Sequence, residues 1–354
     1  MNTVPQSTRT HPYALPQVQE RIGDRGQVAY VGMAAFTDGP AAGTRYADVR
    51  MAGSLHAQIL VDRGMDLGQV WYQGHPLAWL SGTGAVHPAY GNDLNWLQLF
   101  HGGLLTGVGL ENVGLPCEVD GTAYGLHGRL SMTPARNVHW VVPDDDPNAV
   151  EVVGVVRETV VHGVDLELTR SYRFSTQDPS IVITDRLRNL GYVPAPVMML
   201  YHVNIGYPVV DDGARIVAPS HEVIAFNEES VPGLADHLRV SAPSSNAVAE
   251  VFELAFPEDE EEVHVGVMND SFQPTGGIGV LVSYSRRDLP RTYEWRMMGQ
   301  GRYLVGIEPA TCGLKGRAEA LESGRVSFLA PGEQHDCRLK ISVVSGFADR
   351  ERIS

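Results

Sequence analysis

The sequence predicts an all-β protein built as a large antiparallel β-sandwich. Three observations carry that expectation. Short runs rich in Val, Ile, Leu and Tyr, alternating with period two, follow one another from Val28 onward. Long amphipathic helices are missing and strands do not alternate with helices, which excludes a doubly wound α/β sheet. No segment repeats at a fixed period, which argues against a propeller.

The elements follow in order. Residues 1–25, polar and proline-bearing, read as an N-terminal arm, and 26–348 as a single domain. In Leu55 to Val61, Leu55, Ala57, Ile59 and Val61 share one face. Gly68 to Tyr72 is the next strand, with Gln73-Gly74-His75-Pro76 as its turn. Asp93 to Phe100 reads as a short helix whose face is marked by Leu94 and Leu97. The clearest hairpin spans Glu151 to Phe174. Its valines lead to a His162-Gly163 turn, and Leu166, Leu168, Tyr172 and Phe174 face one way on the return. Ile181 to Leu187 precedes Met198 to Pro208, and further β runs continue to Val344.

Bulk chemistry narrows the function. Apolar residues make up 43% of the chain, enough for a sizeable core. A formal net charge of −15 repels phosphate backbones and argues against nucleic acid as a partner. Three scattered cysteines form no Cys-x-x-Cys motif and suit a reducing compartment. No apolar run is long enough to span a bilayer, and residues 1–19 lack the apolar core of a signal peptide. The expectation is a cytoplasmic protein without membrane association, with a homodimer allowed.

Several stretches carry chemistry. On Met198 to Ile205, alternation places Leu200, His202 and Asn204 on one face and Tyr201 and Val203 on the other. An apolar strand that presents His202 and Asn204 breaks its own pattern, as functional strands do; a core histidine with a satisfied hydrogen bond is the alternative. Gly102 to Gly109 lacks the third glycine of a dinucleotide fingerprint and its βαβ frame. His127 and Arg129, two apart, point the same way if the segment is extended, and together suit vicinal hydroxyls. Glu308 ends an apolar strand and is held extended by Pro309, which makes it a candidate base; a salt bridge to Arg317 is the structural alternative. Arg63, within Asp62-Arg63-Gly64-Met65-Asp66, either enters a site or belongs to a self-neutralised turn. Two histidines and a carboxylate suit zinc or iron, but no short-spaced His pair supports a metal.

Leu126-His127-Gly128-Arg129, Tyr201-His202-Val203-Asn204 and Gly306-Ile307-Glu308-Pro309, in that order, resemble the aldose 1-epimerase (galactose mutarotase-like) superfamily. The likeness runs from about residue 25 to about residue 347 and is closest to a less characterised branch. The resemblance implies a β-supersandwich and cofactor-free, metal-free interconversion of sugar anomers. It implies Glu308 as base, His202 as acid and His127 as a sugar-binding group. Arg129, Asn204, Tyr201 and Arg63 join as candidate substrate contacts, with Trp71, Trp79 or Tyr201 as an apolar platform. Val203-Asn204-Ile205-Gly206 departs from the aromatic pair that commonly follows the histidine in better-known members, and Arg129 stands where they carry a small residue. The expected ligand is therefore a monosaccharide or a sugar acid. A non-catalytic sugar-binding module and a metal-dependent ketose or uronate isomerase are the alternatives.

Overall fold

A computed structural model describes residues 12–91 and 95–346. Three antiparallel sheets dominate it, as the alternation predicts. The first, five-stranded, is a sequential meander from Ala29–Ala35 to His75–Pro76. The second has eight strands and contains the hairpin expected around His162-Gly163. Ala149–Thr159 pairs with Asp165–Ser175 in the register Thr159↔Asp165. The third has six strands in the order Glu222–Ala225, Ala249–Ala255, Arg291–Gly299, Arg302–Ala310, Met198–Ile205, Thr106–Leu110.

The main core lies between the sheets. Tyr201, Val203 and Ile205 from the third sheet join Leu166, Leu168, Tyr172 and Phe174 from the second and Ala57 and Ile59 from the first. Met198 and Leu200, on the opposite face of the Met198–Ile205 strand, enter a smaller apolar cluster with Trp96, Phe100, Tyr293 and Leu314. Both faces of this strand are therefore buried, and His202 and Asn204 point towards the smaller cluster, as the alternation requires.

Two expectations fall partly outside the described residues. Of the helix expected over Asp93 to Phe100, Asp93 and Leu94 lie outside them; the helix runs Trp96–Leu99 and buries Trp96 and Leu99, while Leu97 is exposed. Of the arm expected over 1–25, residues 1–11 lie outside. Within the rest, Leu15 is 6% exposed and packs into the main core. No helix of the described residues is long and apolar enough to cross a membrane.

Candidate functional site

The floor of the site is one face of the six-stranded sheet. The register Leu200↔Ala310 and Val203↔Ile307 sets His202 directly opposite Glu308. The ladder is interrupted between these pairs, where Pro309 has no N–H to offer. On the other side of the Arg302–Ala310 strand, Trp295 stands opposite Gly306, and Val251 opposite Trp295. Directly opposed residues share a face, so Val251, Trp295, Glu308 and His202 all project into the same space. Gly306 is needed there: a Cβ would lie 2.8 Å from Glu308 Oε1 and 3.1 Å from Trp295 Cβ.

His202 Nε2 lies 3.1 Å from Glu308 Oε1. The separation suits a hydrogen bond but the alignment does not. Among the described residues, Glu308 Oε1 consequently lacks a hydrogen-bond partner, and so does the other ring nitrogen, His202 Nδ1. The third polar side chain, His127, comes from a loop. His127 has φ 60° and Gly128 φ 68°, so two successive left-handed residues swing the imidazole over the sheet. The Gly114 N–H donates to His127 Nδ1 at 3.3 Å, which leaves Nε2 of the neutral ring as a donor. The His127 ring stands 6.0 Å from that of His202 and 4.6 Å from Trp96, centroid to centroid.

These groups line a cavity of about 240 Å³ whose remaining walls are aromatic or aliphatic, among them Trp96, Phe100, Leu126, Phe226 and Trp295. Phe100 and Trp295 each sit 5.2 Å from the His202 ring. This buried, largely apolar setting shifts the protonation equilibria. Burial pushes the Glu308 carboxyl up to about 8. Burial, and then the neighbouring His127, push His202 down to about 3, and burial takes His127 to about 4. Burial therefore favours the uncharged form of each group, the carboxylic acid on Glu308 and the neutral imidazole on His202 and His127. The resemblance assigns the roles the other way, with Glu308 as base and His202 as acid. Low polarity penalises the ion pair more than the neutral pair.

The structure gathers His127, His202 and Glu308 and sends the other candidates elsewhere. Arg129 is exposed and lines a separate cavity with Glu111, Tyr124 and Glu158, because the left-handed residues 127 and 128 break the extended segment that would align it with His127. Arg63 is buried and donates to the carbonyls of Val86 and Leu99 and to Ser131 Oγ, a scaffold role. Asn204 donates to the Gly103 and His202 carbonyls and bounds no part of the cavity. Tyr201 faces the main core, where its hydroxyl donates to Asp185 at 2.8 Å. Trp71 stacks on His56 in a different crevice, and Trp79 sits behind Phe100 and Trp295. Arg317 does not pair with Glu308; it donates to the Glu111 carbonyl and lies over the Tyr124 ring.

The aromatic walls escaped the sequence reading. Trp96 and Phe100 offered a signal, two aromatics four residues apart, and their rings do stack at 4.7 Å. Trp295 and Phe226 offered none: cross-strand register brings Trp295 to the cavity, and Phe226, just past the Glu222–Ala225 strand, is held by its N–H bond to the Val251 carbonyl. Among the described residues, no three His, Cys, Asp or Glu side chains converge as a metal-ligand group.

Similar structures agree on the architecture. A candidate aldose 1-epimerase from Klebsiella pneumoniae subsp. pneumoniae MGH 78578 superposes with a TM-score of 0.85 at 24% identity, over 95% of this chain and 88% of that one. A galactose mutarotase-like protein from Clostridium acetobutylicum gives 0.58 at 13% identity, over 90% and 99%. Galactose 1-epimerase from Lactobacillus acidophilus NCFM gives 0.58 at 11%, over 90% and 100%. No curated protein matches the sequence. The family model described as a domain of unknown function, DUF4432, matches residues 41–343. The chain belongs to the DUF4432 family, a less characterised branch on the galactose mutarotase-like fold.

Proposed function

We propose that the protein is a cofactor-independent aldose 1-epimerase-like isomerase that interconverts the α and β anomers of a monosaccharide. The observation that carries this reading is the His202–Glu308 pair, 3.1 Å apart at the floor of a cavity large enough for one sugar ring. Ring opening takes a proton from the anomeric hydroxyl and gives one to the ring oxygen. These two oxygens share a single carbon, so the donor and the acceptor must stand side by side. A pair that holds one proton between an acid and a base meets that demand.

In the free site Glu308 carries the proton and His202 Nε2 is the free base. His202 accepts the anomeric proton while Glu308 donates to the ring oxygen. The aldehyde face turns, and the reverse transfers close the other anomer and restore the starting state. His127, a fixed neutral donor, hydrogen-bonds a sugar oxygen beside the reacting carbon and stabilises charge developing there.

Anomer exchange followed by polarimetry or NMR on freshly dissolved sugars tests this. Glu308→Gln keeps the shape but has no proton to pass, so kcat should fall at least 10³-fold, in the range of lost acid–base catalysis, with sugar affinity retained. The wild-type rate should fall above pH about 8 as Glu308 loses its proton. An unchanged rate in Glu308→Gln would rule out the mechanism. A non-catalytic sugar-binding module instead predicts saturable binding with no rate above the buffer background.

A further inference from the structure

We infer that the cavity selects neutral, hydroxyl-poor sugars: a deoxy sugar is preferred over its parent hexose, and a uronate is disfavoured. This rests on the anomer-exchange reading of the same site and specifies its substrate class.

The inference follows from counting hydrogen-bonding groups. Among the described residues that bound the cavity, three side chains carry strongly polar groups, His127, His202 and Glu308, and Trp96 and Trp295 add one indole N–H each. Two of them are committed to the anomeric hydroxyl and the ring oxygen, and His127 has one N–H left to give. The remaining wall includes Trp96, Leu126, Phe226, Val251, Trp295 and Leu314, with no serine, threonine, amide, arginine or lysine among the described residues. A sugar hydroxyl turned to this wall loses its water and meets aliphatic surface, ring faces or at most an indole N–H, which gives a hydrogen bond but accepts none. One such loss, at about 1.4 kcal/mol, is a factor of about ten. A C–H or methyl group in the same place instead gains apolar contact, and aromatic faces suit it.

Charge points the same way. The low polarity that keeps the Glu308 proton in place also opposes a substrate carboxylate. The arginine that sequence reading offered as its partner, Arg129, bounds the other cavity. Lys315 places its Nζ over the Phe226 ring, 5.6 Å from the centroid, and does not line the site.

The test compares anomer-exchange rates, by NMR magnetisation transfer, for D-glucose, 2-deoxy-D-glucose, 6-deoxy-D-glucose and D-glucuronate, and for galactose with its deoxy and uronate counterparts. At least one deoxy sugar should exceed its parent in kcat/KM by about tenfold, with the uronate slowest. Val251→Thr, which adds a hydroxyl at nearly constant volume, should shrink the deoxy-to-parent ratio by about threefold or more; Leu126→Asn is the second variant, should the first not fold. A parent hexose or a uronate at least equal to every deoxy sugar overturns the selectivity while leaving anomer exchange standing. Absence of exchange for all sugars, with titrations that still show tighter binding of deoxy sugars, overturns anomer exchange and upholds the selectivity.

Discussion

Glu308 is 2% exposed, and its carboxyl is raised from an ordinary 4.5 to about 8 because it is buried, with no cation among the residues that bound its cavity. Such a shift is also a statement about stability. Below pH 4.5 the group is protonated in folded and unfolded chains alike, and it costs the fold nothing. Between 4.5 and 8 the unfolded chain ionises while the folded one does not, so stability drains away as pH rises, by about 3 kcal/mol at neutral pH. Glu308→Gln removes that loss. The variant should match the wild type in chemical denaturation near pH 4 and gain progressively on it up to pH 8. A difference that does not vary with pH would mean that the carboxyl titrates normally. His202 and His127 work in the opposite sense: both are depressed, so their contribution is lost as pH falls below the ordinary 6.5.

At the level of the element, the Arg302–Ala310 strand is shaped around its functional side chain. Gly306 and Glu308 lie on one face, and the carboxyl leans over the glycine. A methyl group at position 306 meets the end of a flexible side chain, which can move, and Trp295 Cβ, which yields less readily. Gly306→Ala should therefore fold, with a loss of about 1–2 kcal/mol, but displace the carboxyl from His202. The expected result is a fall in kcat of about 10²-fold that exceeds any change in KM. Retained full activity would show that the carboxyl works from another position. Pro309 acts in the same strand by omission: it leaves the ladder open beside His202 and Glu308, where a backbone bond would otherwise draw the strands together.

At the scale of the molecule, the site strand is tied to the second sheet by a buried polar cluster. Arg170 and Asp185, 1% and 0% exposed, form a two-pronged ion pair with Arg170 Nη2 2.6 Å from Asp185 Oδ2. The Tyr201 hydroxyl donates to the same carboxylate from the site strand, and Arg170 Nη1 donates to the Gly64 carbonyl in the turn that precedes the Asp66–Tyr72 strand. One pair thus joins all three sheets. Asp185→Ala leaves a guanidinium buried without its counter-charge and should cost about 3–5 kcal/mol in urea unfolding at neutral pH. Adding Arg170→Met should recover part of that loss. If the double variant is no more stable than Asp185→Ala, the burial penalty of Arg170 is not what destabilises the single variant.

The sequence by itself determined the architecture and the direction of each side chain along its strand. Period-two alternation is a local property, and it placed His202 opposite in facing to Tyr201 and found the hairpin at His162-Gly163 without any knowledge of neighbours. Arg170 is buried on the return strand of that hairpin, but nothing local reveals Asp185 as its partner. Residue 129 was misassigned because the left-handed turn at 127 and 128 is set by packing of the loop on Gly109 and Asn112. Only the tertiary structure decided which side chains meet: register put His202 opposite Glu308, an aromatic wall closed over them, and that burial raises the affinity of the carboxyl for its proton. Register and dielectric are properties of the assembled sheets, arising from segments a hundred residues apart, and no short stretch of chain encodes either.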